Sequence, residues 1–286
     1  MTKLVICDLD NTLYDWVGYF VPSFYAMVEK AVAILECDRE ELLDDLRCVH
    51  QLHHDSEHPF ALLETNIVKM RFPNATRREL ARVFDDAFHA FNIERKRSLR
   101  LYDGVQEGLD SLRKRQATVV AHTEGKLYSV LDRLRRLDLL DYFSRVYCRE
   151  RTLSSHVKAE VGNRWLDSFP MQKVVELSQH QRKPNPEVLA EICANEQARP
   201  EQCLYIGDSI ARDVMMAKNT GVCAAWAKYG TQHSEEDYAA LVRVSHWTSE
   251  DVEREIKLKE QAAGVAPDII LENSFSEVLQ KIERKN

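Results

Sequence analysis

Lys3-Leu4-Val5-Ile6-Cys7-Asp8-Leu9-Asp10-Asn11-Thr12-Leu13-Tyr14-Asp15 starts as an apolar run the length of one buried strand and stops at two carboxylates spaced by one residue. Side chains alternate faces along a strand, so Asp8 and Asp10 would project the same way if the strand continued. Asp-Leu-Asp-Asn-Thr is rich in turn formers, which predicts that the strand breaks there and leaves both carboxylates at its C-terminal end. Taken alone, this is a strand followed by a polar loop. Its meaning depends on what the rest of the chain supplies.

Beyond this stretch the pattern changes to helical spacing. Val17, Phe20, Val21, Phe24, Val28, Ala31, Val32 and Leu35 fall at helical intervals, with Pro22 marking a helix start or a kink. Leu42, Leu43, Leu46 and Val49 predict a second helix. Phe60, Leu63, Ile67 and Met70 predict a third, begun by Pro59 and closed before Pro73. A fourth follows on Leu80, Val83, Phe84, Ala87, Phe88 and Phe91, with Thr76 and Glu79 placed as a capping box. Helices in succession without an intervening strand define a helical subdomain over 16–98.

From there strands and helices alternate. Helices are expected at Gly104–Lys114, around Leu127–Leu134, at Glu187–Ala194 and at Ile210–Asn219, with a closing helix at Phe275–Ile282. Strands are expected at Ala117–Ala121, Phe143–Cys148, Cys203–Ile206, Val222–Ala227 and Asp268–Leu271. Such alternation implies crossover connections and a mostly parallel sheet covered on both faces. The fold class is therefore α/β with a helical insertion after the first strand. The core occupies 1–15 and 99–286, with 149–182 and 231–265 read as further insertions.

A length of 286 residues fits one core domain plus an insertion, and 44% hydrophobic with 30% charged residues can bury a core. The net charge of −7 argues against a protein whose main task is coating nucleic acid, and leaves a small charged substrate open. The basic clusters Arg95–Arg97 and Arg133–Arg136 read as solvated helix faces. Seven scattered cysteines, an odd number without a CxxC pair, fit free thiols in a reducing compartment. The chain enters a strand at once, without a leader, and no apolar run approaches the roughly 18 residues of a membrane span. The expected location is cytoplasmic, with no membrane partner. Oligomeric state is not encoded in any visible feature.

In a parallel sheet, ligands bind outside the carboxyl ends of the strands. The first strand ends in Asp8 and Asp10, the second at Thr123, and the strand at Cys203–Ile206 in Gly207-Asp208-Ser209, with Asp213 in the first turn of the next helix. Four crowded carboxylates repel one another unless a cation sits among them, and an all-oxygen set suits a hard divalent ion, Mg²⁺ first. Arg182-Lys183-Pro184-Asn185-Pro186-Glu187 offers a basic partner held ahead of a helix that begins with Pro at its first turn.

DLDNTLYD at 8–15, Thr123, Lys183 within RKPNPE and GDSIARD at 207–213 resemble, in order, the four motifs of the haloacid dehalogenase superfamily. The resemblance runs from residue 3 to about 227. It implies a Rossmann-like core with a helical cap at 16–98, and a Mg²⁺-dependent phosphatase acting on a small soluble phosphomonoester. Asp8 is then the nucleophile that forms an aspartyl-phosphate, and Asp10 the general acid and base. Thr123 binds a phosphoryl oxygen, and Lys183 offsets the charge of phosphate and nucleophile. The metal falls to Asp8, Asp208 and the backbone carbonyl of Asp10, with Asp213 close by or acting through water.

Haloacid dehalogenases lack an acid at the position of Asp10, so its presence favours phosphatase chemistry, with nucleotidase-like and phosphoglycolate-phosphatase-like branches as the nearest in character. The rivals are a phosphotransferase, a phosphonate hydrolase using Lys30 or Lys69 as a Schiff base, and a catalytically idle scaffold. Two departures from the family pattern stand out: a long gap from Thr123 to Lys183, and Glu124 where small or amide residues are usual. His50, His53, His54 and His58 crowd one part of the cap. His50 and His54, at i and i+4, could face a transition metal, but a polar helix end is the preferred reading. His122 reads as strand-end packing. Tyr14, Trp16, Tyr19 and Phe20 read mainly as core or hinge packing, with Tyr14 or Trp16 able to touch a substrate.

Overall fold

The computed structural model describes residues 2–58, 60–150 and 169–280. Its centre is a sheet of seven strands, β1 (Leu4–Cys7), β2 (Thr118–Lys126), β3 (Arg145–Arg149), β4 (Val174–Leu177), β5 (Cys203–Gly207), β6 (Cys223–Ala227) and β7 (Ile269–Leu271). All neighbours pair in parallel, in the order β4-β3-β2-β1-β5-β6-β7. β1 is central and buried along its whole length, as an apolar run flanked on both edges requires. Leu4 stands opposite Thr118 on one side and Cys203 on the other. The strand order turns at β1: β2 to β4 build outward on one side and β5 to β7 on the other. That places a switch point between the carboxyl ends of β1 and β5, where an open α/β sheet presents its crevice.

The helices, in chain order, are α1 (Trp16–Leu35), α2 (Arg39–His53), α3 (Asn66–Arg71), α4 (Arg77–Val83), α5 (Asp85–Ser98), α6 (Val105–Lys114), α7 (Leu127–Arg136), α8 (Pro186–Asn195), α9 (Met215–Thr220), α10 (Glu235–Val244) and α11 (Ser249–Gln261). The closing helix expected at Phe275–Ile282 is helical over 277–280, and its last two positions lie outside the described residues. On one face of the sheet, Leu4, Ile6 and Tyr205 pack with Leu189, Ile192 and Met216 from α8 and α9. No helix among the described residues is long and apolar enough to cross a membrane.

The chain forms two compact units. One, the sheet unit, comprises 1–15, 101–232 and 257–286; the other, the helical unit, comprises 16–100 and 233–256. The helical unit thus takes more chain than the expected 16–98. Most of 231–265, read as an outer elaboration of the core, joins it: Tyr25 Oη donates to Ala240 O at 3.0 Å, and Arg243 pairs with Glu40 and Asp44 on α2. Such long-range polar contacts leave no periodic signal in the sequence.

Other boundaries shift for local reasons. α1 begins at Trp16 and carries Pro22 inside it. The third expected helix divides into a tight 3₁₀ turn, Ala61–Glu64, and α3, because Thr65 caps α3 by accepting from Val68 N. The fourth divides at Phe84 into α4 and α5, with the Thr76–Glu79 capping box in place. The segment 149–182, read as an insertion, contains a strand of the sheet itself. β4 is an edge strand in which only Leu177 is buried, so its apolar pattern is weak. Residues 151–168 of that segment lie outside the described residues.

Candidate active site

Three chain segments converge at the carboxyl ends of β1 and β5. Asp8 follows β1 and keeps to the ladder for one more bond, its N–H donating to Ile206 O at 2.8 Å. The chain then turns: Leu13 N bonds to Leu9 O and Asn11 takes a positive φ of 58°, which Asn tolerates through its short polar side chain. Thr12 Oγ1 reaches back to Asp8 Oδ2 at 3.2 Å. Across the turn, Tyr229 Oη donates to Thr12 O at 2.7 Å. Gly230 lies so close that a Cβ there would come within 1.7 Å of Asn11 O. The turn that carries the carboxylates is therefore clamped from the end of β6.

β5 ends in Gly207, followed by Asp208 and a wide π-turn at Ile210–Val214 that folds Asp213 back to the strand end. Asp213 Oδ2 accepts from Ser209 N at 3.1 Å, and its Oδ1 accepts from Tyr205 Oη at 3.3 Å. A Cβ on Gly207 would meet the Asp213 carboxyl carbon at 2.4 Å, so only glycine lets the carboxylate return over the strand. Trp226 Nε1 donates to Asp208 O at 2.8 Å.

Lys183 enters from the loop before α8, whose start is set by Asn185 accepting from Val188 N, with Pro186 at the first helical position. Its ammonium is buried and donates to Asp8 Oδ1 at 2.6 Å and to Asp213 Oδ1 at 2.9 Å. Glu124, a departure from the family pattern, holds this segment: its Oε1 accepts from Lys183 N at 3.1 Å.

The electrostatics follow from burial. Loss of water pushes the Asp8 carboxyl up to about 7, against the pull of Lys183 and with the push of Asp213. Asp208 rises well above the usual carboxylate range, first by burial and then by Asp8 and Asp213. Burial works against the Lys183 ammonium, but Asp213 and Asp8 outweigh it and hold the proton. Oxygens of Asp8, Asp208 and Asp213 lie within 4.8 Å of one another. This donor set fits a hard divalent cation, whose charge would lower the raised carboxyl pKa values again.

Asp8, Lys183, Asp208 and Asp213 are thus brought together as expected. Asp10 is close enough to push the Asp8 pKa upward, but its carboxylate turns to a different partner. Arg133 Nη2 lies 3.1 Å from Asp10 Oδ1, and Arg133 Nε donates to Tyr14 Oη at 3.0 Å. Arg133 is buried, with 1% exposure, which corrects its reading as part of a solvated cluster. Thr123 does not end its strand as expected, since β2 runs on to Lys126. Between His122 and Lys126 the pairing slips: four steps on β2 span two on β3, so 123–125 bulge out of the ladder. Within the bulge, Gly125 N donates to the buried Thr123 Oγ1 at 3.0 Å. His122 is core packing, as expected, held on Tyr205 at 3.2 Å and kept neutral by burial and by Lys183.

A family model described as haloacid dehalogenase-like hydrolase matches residues 2–221, most of the chain, including Asp8, Asp10, Thr123, Lys183, Asp208 and Asp213. The chain belongs to that family. It is 26% identical over 235 residues to the phosphoglycolate phosphatases of two strains of Vibrio vulnificus, YJ016 and CMCP6, covering 82% of this chain and 86% of each of those. The crystal structure of the 2-haloacid dehalogenase from Pseudomonas syringae pv. Tomato DC3000 matches in fold with a TM-score of 0.59, at 19% identity and over 100% of both chains.

At this candidate site, sequence reasoning missed Arg133, Tyr205, Trp226, Tyr229 and Gly230. Trp226 lies near the carboxyl end of β6 and Tyr229 just beyond it, and that position is the one signal that could have marked them.

Proposed function

We propose that the chain is a Mg²⁺-dependent phosphoric monoester hydrolase working through an aspartyl-phosphate on Asp8, with a small soluble phosphorylated metabolite as substrate. One observation carries the reading: Lys183 Nζ bridges Asp8 and Asp213 beside the oxygens of Asp208, so nucleophile, cationic partner and cation-binding carboxylates form one group.

Asp8, Asp208 and Asp213 would hold the metal, with the Asp10 carbonyl as a further oxygen; when bound, it supplies positive charge against the phosphoryl oxygens. A carboxylate oxygen of Asp8 attacks phosphorus, and the bond to the leaving oxygen breaks as Asp10 gives that oxygen a proton. Asp10, now ionised, takes a proton from water as the water oxygen attacks phosphorus, which releases inorganic phosphate and restores Asp8. Lys183 and the Thr123 hydroxyl bind phosphoryl oxygens through both steps. Positioning and charge stabilisation are what phosphoryl transfer most requires.

The Vibrio relatives support a phosphoglycolate-like substrate class, and the helical unit is proposed as the cap that selects the leaving group. Lys30 and Lys69 are both exposed, which favours neither as the desolvated amine a phosphonate hydrolase would need. The proposed setting is cytoplasmic.

The test is hydrolysis of p-nitrophenyl phosphate and a panel of phosphomonoesters with Mg²⁺, beside an Asp8→Asn variant. Turnover is expected in the wild type, with a fall of more than about a thousandfold in the variant. Equal turnover in both would remove Asp8 as nucleophile, and a wild type inert across the panel would favour a binding role.

A further inference from the structure

We propose that His53, His58 and Glu64, all in the helical unit, form a site for a divalent transition metal of the Zn²⁺ class, separate from the carboxylates at the strand ends. Helical spacing also allows a His50–His54 pair one turn apart, although a polar helix end is the preferred reading there. The fold uses neither histidine. His50 is buried with its Nδ1 2.6 Å from Val244 O, and His54 takes a left-handed conformation that caps α2.

That cap reverses the chain. Asp55 N bonds to His50 O at 3.0 Å, and Ser56 Oγ sits 2.9 Å from His246 Nδ1 while accepting from His246 N at 3.0 Å. The pinned turn returns His58 over His53, so the two imidazoles stack with centroids 3.6 Å apart and planes 7° from parallel. Both direct Nε2 at one carboxylate: His53 to Glu64 Oε2 at 2.7 Å, and His58 to Oε1 at 2.9 Å. Glu64 ends the 3₁₀ turn at Ala61–Glu64, so all three ligands come from backbone fixed by caps or turns.

Two imidazoles and a carboxylate whose ligand atoms all lie within 4.8 Å of one another form a donor set that a divalent ion can take as a whole. Bond lengths of about 2.0–2.2 Å to nitrogen and oxygen place tetrahedral ligand atoms roughly 3.3 Å apart. To reach that, the present N···O distances open by about half an ångström and the two stacked rings turn so that both in-plane Nε2 lone pairs converge on the ion. Arg77 Nη1 stays 3.7 Å from Glu64 Oε1, beyond hydrogen-bond distance, with its guanidinium over the Phe60 ring. Two nitrogens and one oxygen select a borderline ion over Mg²⁺ and leave a fourth position for water or an anionic group. The two sites would therefore take different ions from the same solution.

The experiment uses the tag-free full chain in excess Mg²⁺, titrated with Zn²⁺ in a calorimeter and with Co²⁺ by visible absorption. The expected result is one Zn²⁺ per chain and the intense visible bands of four-coordinate Co²⁺, both retained by Asp208→Asn. His53→Ala and Glu64→Gln should each weaken Zn²⁺ binding by at least about tenfold, with melting curves confirming that the variants fold. His53 is part-exposed, so its removal leaves the core intact. No Zn²⁺ bound by the wild type, or equal affinity in a folded His53→Ala variant, would overturn the site and leave a hydrogen-bonded His–Glu–His cluster. Binding lost only in Asp208→Asn would also overturn it, by assigning the ion to the strand-end carboxylates.

Discussion

Arg133 Nη2 lies 3.1 Å from Asp10 Oδ1 and 3.3 Å from Oδ2, across 123 residues of sequence. A buried guanidinium thus fixes the carboxylate proposed to move the proton, and Tyr14 fixes the guanidinium from its other side. Breaking a buried pair by removing one partner costs about 3–5 kcal/mol, because the other charge is left unpaired. Asp10 is 25% exposed in its side chain, which brings the expected cost to the lower end. Arg133→Met should lower stability by about 3 kcal/mol in urea unfolding. It should lower kcat by about 10–100-fold with KM little changed, because the carboxylate loses its orientation. Arg133→Lys keeps the charge but not the planar fork, and should recover only part of the loss. Wild-type kcat in a folded Arg133→Met variant would end the positioning role.

If Asp10 protonates the leaving oxygen, its removal should matter most where that oxygen is basic. Asp10→Asn should slow hydrolysis of an alkyl phosphate by about 10²–10⁴-fold. With p-nitrophenyl phosphate the first step should suffer much less, since nitrophenolate leaves without a proton. Burst amplitude and steady-state rate, measured for both substrates, separate the two steps. Equal losses for both leaving groups would contradict the assignment.

The raised carboxyl pKa values at Asp8 and Asp208 point to a site that gains stability with a cation. Mg²⁺ at 100 times its dissociation constant should add about 2.7 kcal/mol to unfolding stability. Asp208→Asn should abolish that gain while folding normally without Mg²⁺, and chelation should abolish phosphatase activity reversibly. Thermal melts across a Mg²⁺ series give the readout.

His50 gives the helical unit a pH dependence of definite sign. Burial, with smaller contributions from His58 and His53, lowers its pKa from 6.5 to about 4. Between those values the unfolded chain binds a proton that the folded chain does not, so stability falls as pH falls from about 6.5 to 4 and is constant above. The depression corresponds to about 3 kcal/mol. Urea unfolding from pH 4 to 8 should show this slope in the wild type, and His50→Gln should flatten it. An unchanged slope would place the titrating group elsewhere.

The Gly230 contact is a further test of how the turn carrying Asp8 and Asp10 is held. A Cβ within 1.7 Å of Asn11 O cannot be accommodated without moving the turn or the end of β6. Gly230→Ala should lower stability by about 1–3 kcal/mol as overpacking does, and should lower kcat because the turn carries Asp8 and Asp10. Gly264, whose would-be Cβ meets no heavy atom within 4 Å but whose φ is +86°, reports the cost of backbone strain without a clash.

Much was legible before folding. The apolar run at 3–7, the alternation from 104 onward and the turn residues at 8–12 and 207–209 act locally. A strand or a turn forms from neighbours in sequence, so its pattern is written there. That is why the parallel sheet, the helical insertion and the positions of Asp8, Lys183, Asp208 and Asp213 could be read from one chain. β4 escaped because an edge strand with one buried residue carries little periodicity.

What the tertiary structure alone decided is which charges lose water and whom they meet. Arg133 looks like its neighbours Arg135 and Arg136 in sequence, yet it is buried against Asp10, and nothing within its own helix distinguishes it. Residues 233–256 look like a surface elaboration, yet they complete the helical unit through Ala240 and Arg243. His53 and His58 share no helical spacing, yet a left-handed residue and a pinned turn stack them on one carboxylate. In each case the deciding energy is the desolvation and pairing of a polar group by a partner distant in sequence. The sequence placed the carboxylates proposed as nucleophile and cation ligands at the strand ends and Lys183 on the loop before α8; only folding chose the partners that orient them.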